Sequence, residues 1–115
     1  MAIPHAKAGE VVSVRPLGPA LSATSTYTIV KTDSLEVIRV VLAAGKTLPP
    51  HQVPGEITVQ CLEGKVEFFV GELKRELTAG SFLYMGGSGE HAVHAIEDSS
   101  LLVSILLQHK RTLVD

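Results

Sequence analysis

Only one cysteine, Cys61, occurs in the 115 residues, so the chain can form no internal disulfide. In its apolar setting this residue reads as a buried small hydrophobe of a reducing compartment, not as a nucleophile. A lone cysteine also excludes any cysteine-based structural zinc site. Charge is scarce as well: Asp, Glu, Lys and Arg make up 19% of residues and the net charge is −2. Basic residues never run beyond pairs, as at Lys74-Arg75 and Lys110-Arg111, so neither nucleic acid nor an anionic membrane is expected as a partner. Residues 1–12 lack the apolar core of a signal peptide. The apolar run Leu101–Leu107 is interrupted by Ser104 and is far too short to span a bilayer. These absences lead to the expectation of a soluble, cytoplasmic protein.

No window holds a helical 3.6-residue apolar stripe of useful length. There is no Gly-x-Ser-x-Gly elbow, and no phosphate-binding loop leads into a helix. Gly86–Gly89 is glycine-rich but joins two strand-like segments, which suits a barrel rim better than a phosphate site.

What is present is apolar mass, 45% of residues, in short β-type segments. Residues 10–15, 25–30, 35–43, 57–62, 65–70, 72–78, 81–85, 91–96 and 100–108 are rich in β-branched and aromatic residues, with glycine and proline between them. The length suits one domain. The expected organisation is an N-terminal arm over 1–9 and an all-β barrel or sandwich domain over 10–115. Strands 35–43 and 100–108 are apolar on both faces. In the first, Val37 and Val41 oppose Ile38, Val40 and Leu42; in the second, Leu102 and Leu106 oppose Leu101, Val103 and Ile105. One face of each can fill a barrel, and the other needs a further sheet or a second subunit. With so little charge available for the surface, a homodimer is expected.

Among the histidines, His5 and His109 read as solvated. His51 follows Gly45 by six residues, and His91 and His94 follow Gly80 and the glycine-rich run. The stretch GKTLPPHQVPGEITVQCLEG, Gly45 to Gly64, resembles the first cupin motif: a glycine, five residues, His-x-His, a carboxylate and a closing glycine. GSFLYMGGSGEHAVHA, Gly80 to Ala95, resembles the second: a glycine, five residues, Pro-x-Gly, two residues, a His, three residues and an Asn. The resemblance covers about a third of the chain. It implies a cupin-type double-stranded β-helix, a jelly-roll barrel closed or nearly so, with His51 and His91 facing each other inside.

The family's metal site takes two histidines and a carboxylate from the first motif and one histidine from the second. Here His51 and His91 stand at two of those places, while Val53 holds the second histidine position and Ile57 the carboxylate position. Glu56 lies one residue early. The second motif has Gly86, Ser88 and Ala95 where the family has proline, glycine and asparagine. Two imidazoles alone hold a divalent first-row metal weakly. Strand parity offers two arrangements. Either Ile57, Val59 and Cys61 point inward, the better filling, or a bulge at Pro54-Gly55 brings Glu56 and Gln60 inside as a third ligand. His94 has the opposite parity to His91 and is expected outside.

Two functions follow. In one, a metal-free or weakly metal-binding cupin holds a small, largely apolar molecule among His51, His91, Val53, Ile57, Gln60 and Met85. In the other, a metal-dependent enzyme of dioxygenase or isomerase type uses His51, His91 and Glu56 around Zn, Ni, Mn or Fe.

Overall fold

The computed structural model describes residues 4–87 and 89–107. Among the described residues, nine strands follow a 3-10 segment at Gly18–Ala23. They are β1 (Tyr27–Lys31), β2 (Leu35–Leu42), β3 (Thr47–Gln52), β4 (Ile57–Glu63), β5 (Lys65–Val70), β6 (Leu73–Thr78), β7 (Phe82–Met85), β8 (Glu90–Ala95) and β9 (Ser99–Leu106). Among the described residues no helix is long and apolar enough to cross a membrane.

The strands make two antiparallel sheets, one ordered β1-β2-β9-β4-β7 and the other β3-β8-β5-β6. The pairings are nested: β5 with β6, β4 with β7, β3 with β8 and β2 with β9. A long hairpin coiled over itself produces this order, so the chain is the expected double-stranded β-helix. It is not closed into a barrel. Among the described residues no strand ladder joins the two sheets, which face each other as a sandwich with their inner side chains interdigitated. β3 is one of the open edges, and its Pro49 and Pro50 carry no amide hydrogens to continue a ladder.

Burial follows the alternation of each strand. Ile57, Val59 and Cys61 of β4 are buried, as are Val66 and Phe68 of β5, and Val93 and Ala95 of β8. The Cys61 thiol is 1% exposed, and burial pushes its pKa up, in keeping with its reading as a core side chain.

Two segments depart from the expected strands. Residues 10–15 form no strand. The β-branched side chains of this stretch find no neighbouring strand, and Val11 is 98% exposed; β-propensity needs a partner surface to act on. Conversely, Thr47–Gln52 is a strand despite two prolines, because it lies at a sheet edge. The N-terminal segment is tied down at two points. The Ala6 amide donates to the Ile29 carbonyl at 2.7 Å, and the Leu17 and Gly18 amides donate to the Glu63 carboxylate at 2.9 and 3.1 Å.

Candidate functional site

The two prolines of β3 also set the register of the site. Leu48 pairs with Val93 and His51 with His91, so Pro49 and Pro50 together stand opposite Ala92 alone. This bulge inserts one extra residue and changes the parity of everything after it. Leu48 and His51, three residues apart, both come to register with inward-facing positions of β8, since His91 and Val93 are both buried. The expected pairing of the two motif histidines is thus present in the backbone. The His51 side chain, and with it the expectation that the two imidazoles face one another, lies outside the described residues.

His91 is 6% exposed. Its ring stacks on Phe68 with centroids 5.7 Å apart and planes at 10°, an arrangement that fixes the plane of the imidazole. Nδ1 lies 3.4 Å from the Gly89 carbonyl oxygen. A carbonyl only accepts, so in this contact Nδ1 is the donor.

Beside this ring a cavity of about 110 Å³ lies between the two sheets. Ile38 and Val40 of β2, Ile57 and Val59 of β4, and Leu101, Val103 and Ile105 of β9 form one wall. Leu48, Phe68 and Val93 form the other, with Val53 between β3 and β4. Among the described residues, eleven apolar side chains and the His91 imidazole line this space. An apolar cavity of ~150 Å³ holds benzene, so the volume suits a molecule of only a few heavy atoms.

Of the residues expected at the site, His91, Val53 and Ile57 line the cavity. Met85 is buried at 5% in the core but stands outside the lining, paired in register with Ile57. Gln60 is exposed on the outer face of β4, pointing away from the cavity. Glu56 is exposed too, and its Oε1 accepts the Tyr84 hydroxyl at 2.6 Å, a contact that raises the phenol pKa. From Ile57, β4 pairs without interruption to Gln60 with β7 and to Cys61 with β9, and its alternation turns Ile57, Val59 and Cys61 inward and Gln60 outward. The buried Ile57-Val59-Cys61 set fills the interior instead. Glu56 is therefore corrected as a third ligand and Gln60 as a ligand contact. His94 lies outside as expected, its Nδ1 2.7 Å from Thr47 Oγ1.

These residues do not fit the family's metal centre. Among the described residues no group of three His, Cys, Asp or Glu side chains could hold an ion. Val53 and Ile57, at the places of two family ligands, present hydrocarbon to the cavity.

Sequence reasoning did not single out Phe68 or the inner residues of β2 and β9 as site residues. The two-sided apolar pattern of β2 and β9 carried the signal, but it marks filling and cavity wall alike.

No protein-family model and no curated protein matches the chain. Solved structures do. A conserved protein of unknown function from Streptococcus pyogenes superposes with a TM-score of 0.73 at 19% identity, over 95% of this chain and 96% of that one. A cupin superfamily protein from Desulfitobacterium hafniense gives 0.73 at 17% identity, over 90% and 100%. A predicted oxalate decarboxylase from Thermotoga maritima gives 0.65 at 18% identity, over 72% and 79%. At these identities the likeness establishes the fold.

Proposed function

We propose that this chain, a small cupin domain by its fold, binds a small and largely apolar molecule in the cavity between its sheets, without a tightly held metal. The observation that carries this reading is a space between the sheets whose described lining is hydrocarbon apart from the oriented His91 imidazole. Such a space gains affinity from apolar burial, and one polar group fixes the ligand's orientation.

Pyrrole and furan, five-membered rings smaller than benzene and nearly equal in size, test the proposal by thermal shift. A ligand bound only to the folded state raises the melting temperature by mass action. Pyrrole, which has an N–H to donate, should stabilise the wild type more than furan does. In His91→Leu the order should reverse, with pyrrole weakened about tenfold, the worth of one hydrogen bond at roughly 1.4 kcal/mol. No shift with either compound, or an unchanged preference in His91→Leu, would count against the proposal.

The register pairing of His51 with His91 favours a second reading, a metal-dependent enzyme of dioxygenase or isomerase type. The two readings differ in their response to Zn²⁺, Ni²⁺, Mn²⁺ and Fe²⁺. On the first, these ions leave the melting temperature unchanged in the wild type and in His51→Ala alike. On the second, they raise it in the wild type and His51→Ala abolishes the rise.

Val53→His is informative under both readings. Position 53 is partly buried on the cavity wall shared with His91, so the new imidazole supplies a third nitrogen where only hydrocarbon stood. Ni²⁺ affinity measured by calorimetry should rise at least about tenfold over wild type. Unchanged Ni²⁺ binding would show that position 53 does not reach the histidine pair.

A further inference from the structure

Two short segments meet at the side of the sandwich where β2 and β3, in different sheets, are joined by no ladder. The first is the chain leading into β1. The Thr24 amide closes the 3-10 segment on the Leu21 carbonyl at 3.0 Å, with Leu21 buried beneath it. Thr24 Oγ1 donates to the Ala20 carbonyl at 2.7 Å, and Thr26 Oγ1 accepts from the Val41 amide at 2.9 Å. The second is the turn from β2 into β3. Gly45 takes φ +87° there, and its amide donates to the Ala95 carbonyl at 2.8 Å. The Ala44 amide donates to Asp98 Oδ1 at 2.8 Å, and the Lys46 amide to the Ala43 carbonyl at 3.0 Å.

Between these pinned segments lies a groove of about 370 Å³. Its hydrocarbon comes from Leu21, Leu42 and Leu48, the first two buried. Ser22 and Ser25 add hydroxyls, and Lys46 is the single charged residue of the described lining. Among the described residues, the Lys46 ammonium makes no ion pair, and neither it nor the two serine hydroxyls makes a hydrogen bond. Asp98, whose carboxylate touches this turn, accepts from Ala44 and is not paired with Lys46. The groove is separate from the cavity beside His91. Among the described residues Leu48 alone lines both, one side chain standing between the two spaces.

We propose that this groove is a second ligand site, one that takes a short-chain carboxylate. The carboxylate lies at Lys46 with the serine hydroxyls, and the alkyl tail lies on Leu21, Leu42 and Leu48. Volume is the first ground. Small-molecule sites span roughly 300–1,000 Å³; the groove falls in that range, and the inner cavity, at about 110 Å³, does not. Charge is the second. One ammonium balances one negative charge, whereas a phosphate monoester carries close to −2 at neutral pH and would add its surplus to a chain already at −2. The third is the mixed lining. Hydrogen bonds from an ammonium or a hydroxyl to a carboxylate are charge-assisted and stronger than neutral ones, while the leucines reward a hydrocarbon tail that an inorganic anion lacks. Because the backbone on both sides is already held, little ordering opposes binding.

Hexanoate titrated into the ¹⁵N-labelled full chain, in a buffer free of other carboxylates, tests the proposal through amide chemical shifts. Saturable shifts should cluster at residues 22–26 and 41–48, with a Kd on the order of 1 mM, ordinary for so small a ligand. Hexan-1-ol, with the same tail and no charge, should bind about tenfold more weakly. Lys46→Met should lose that tenfold and bind the two compounds alike, and Lys46→Glu should prefer hexylammonium to hexanoate. The Lys46 side chain is exposed and unbonded, so both variants should keep the wild-type amide shifts of β4 and β5. Lys74→Met, which removes the same charge from β6 of the other sheet, should retain the wild-type hexanoate affinity. Absence of saturable shifts up to about 20 mM would overturn the proposal. So would shifts centred on Val53, Phe68 and Val93, which would place hexanoate in the inner cavity. An affinity that Lys46→Met leaves unchanged, or that Lys74→Met lowers equally, would overturn it as well.

Discussion

Gly64→Ala should cost roughly 4 kcal/mol or more, enough to lower the melting temperature by about 15 °C or to abolish folding altogether. Gly64 turns the chain from β4 into β5 with φ +86°, a left-handed conformation that costs an alanine ~1–2 kcal/mol. The larger part is steric. A Cβ there would stand 2.2 Å from the Asp98 carbonyl oxygen and 2.2 Å from Ser99 Oγ. Ser99 cannot yield, since it is fully buried and its hydroxyl accepts from the Lys65 amide at 2.9 Å while donating to the Glu97 carbonyl at 2.6 Å. Gly45 makes the comparison clean. It has nearly the same φ, +87°, with nothing within 4 Å of the point where a methyl group would stand. Gly45→Ala should therefore cost only the conformational ~1–2 kcal/mol. Urea denaturation of the two variants separates the terms. Equal losses at the two sites would show that the crowding at Gly64 relaxes freely.

That contrast explains why the motif spacing was a good guide to the fold and a poor guide to the site. Gly45, Gly64 and Gly80 all adopt positive φ at strand-to-strand turns, and the demands of such turns survive any change of chemistry in the interior. The ligand positions carry no such constraint, and here Val53 and Ile57 join the hydrocarbon wall. The two-sided apolar pattern of residues 35–43 and 100–108 was equally legible. Ile38, Val40, Val103 and Ile105 line the cavity, while Val37, Leu102 and Leu106 lie on the outer face. The inward set on β4 also followed from its composition, since three apolar side chains outweigh the alternative of burying Glu56 and Gln60.

Other features were hidden for physical reasons. Pro49-Pro50 reads locally as a strand breaker, yet an edge strand tolerates it, and the resulting bulge is visible only against β8. Residues 10–15 have the composition of a strand, but nothing in a local pattern reveals that no neighbour waits for them. Least visible of all was the polar cluster of Arg39, Glu63 and Ser100. Arg39 is the single cation of β2, which carries no other charge but Glu36, and its partners come from β4 and β9. Only the sheet order β2-β9-β4 brings them together.

That cluster makes Glu63→Ala the other substitution of large expected effect, a loss of about 3–5 kcal/mol, as when one member of a buried ion pair is removed. Arg39 is 1% exposed. Its guanidinium donates to Glu63 Oε2 at 3.1 Å, to Ser100 Oγ at 3.1 and 3.3 Å, and to the Arg15 carbonyl at 2.6 Å. Without Glu63 this cation remains buried with neutral oxygens alone, and the Leu17 and Gly18 amides lose their acceptor. Arg39→Met should cost less, because Glu63 keeps the Leu17, Gly18 and Ser100 donors and its side chain is 13% exposed to water. The cluster also gives stability a pH dependence of definite sign. Burial opposes ionisation of Glu63, but the Leu17 amide, the Ser100 hydroxyl, the Gly18 amide and Arg39 together outweigh it and hold the carboxyl below the ordinary glutamate value. The unfolded chain, with its ordinary value of about 4.3, therefore takes up this proton first as pH falls. The contribution of Glu63 is complete above that value and is lost as pH falls through the lower pKa of the folded state. Glu63→Gln keeps an acceptor for the two amides but has nothing to titrate, so its urea stability should fall less steeply between about pH 5 and pH 3, by roughly the protons of one group. A Glu63→Ala protein within about 1 kcal/mol of wild type at pH 7, or a Glu63→Gln protein with the wild-type acid slope, would show that the pair is an ornament of the fold and not an anchor for residues 15–18.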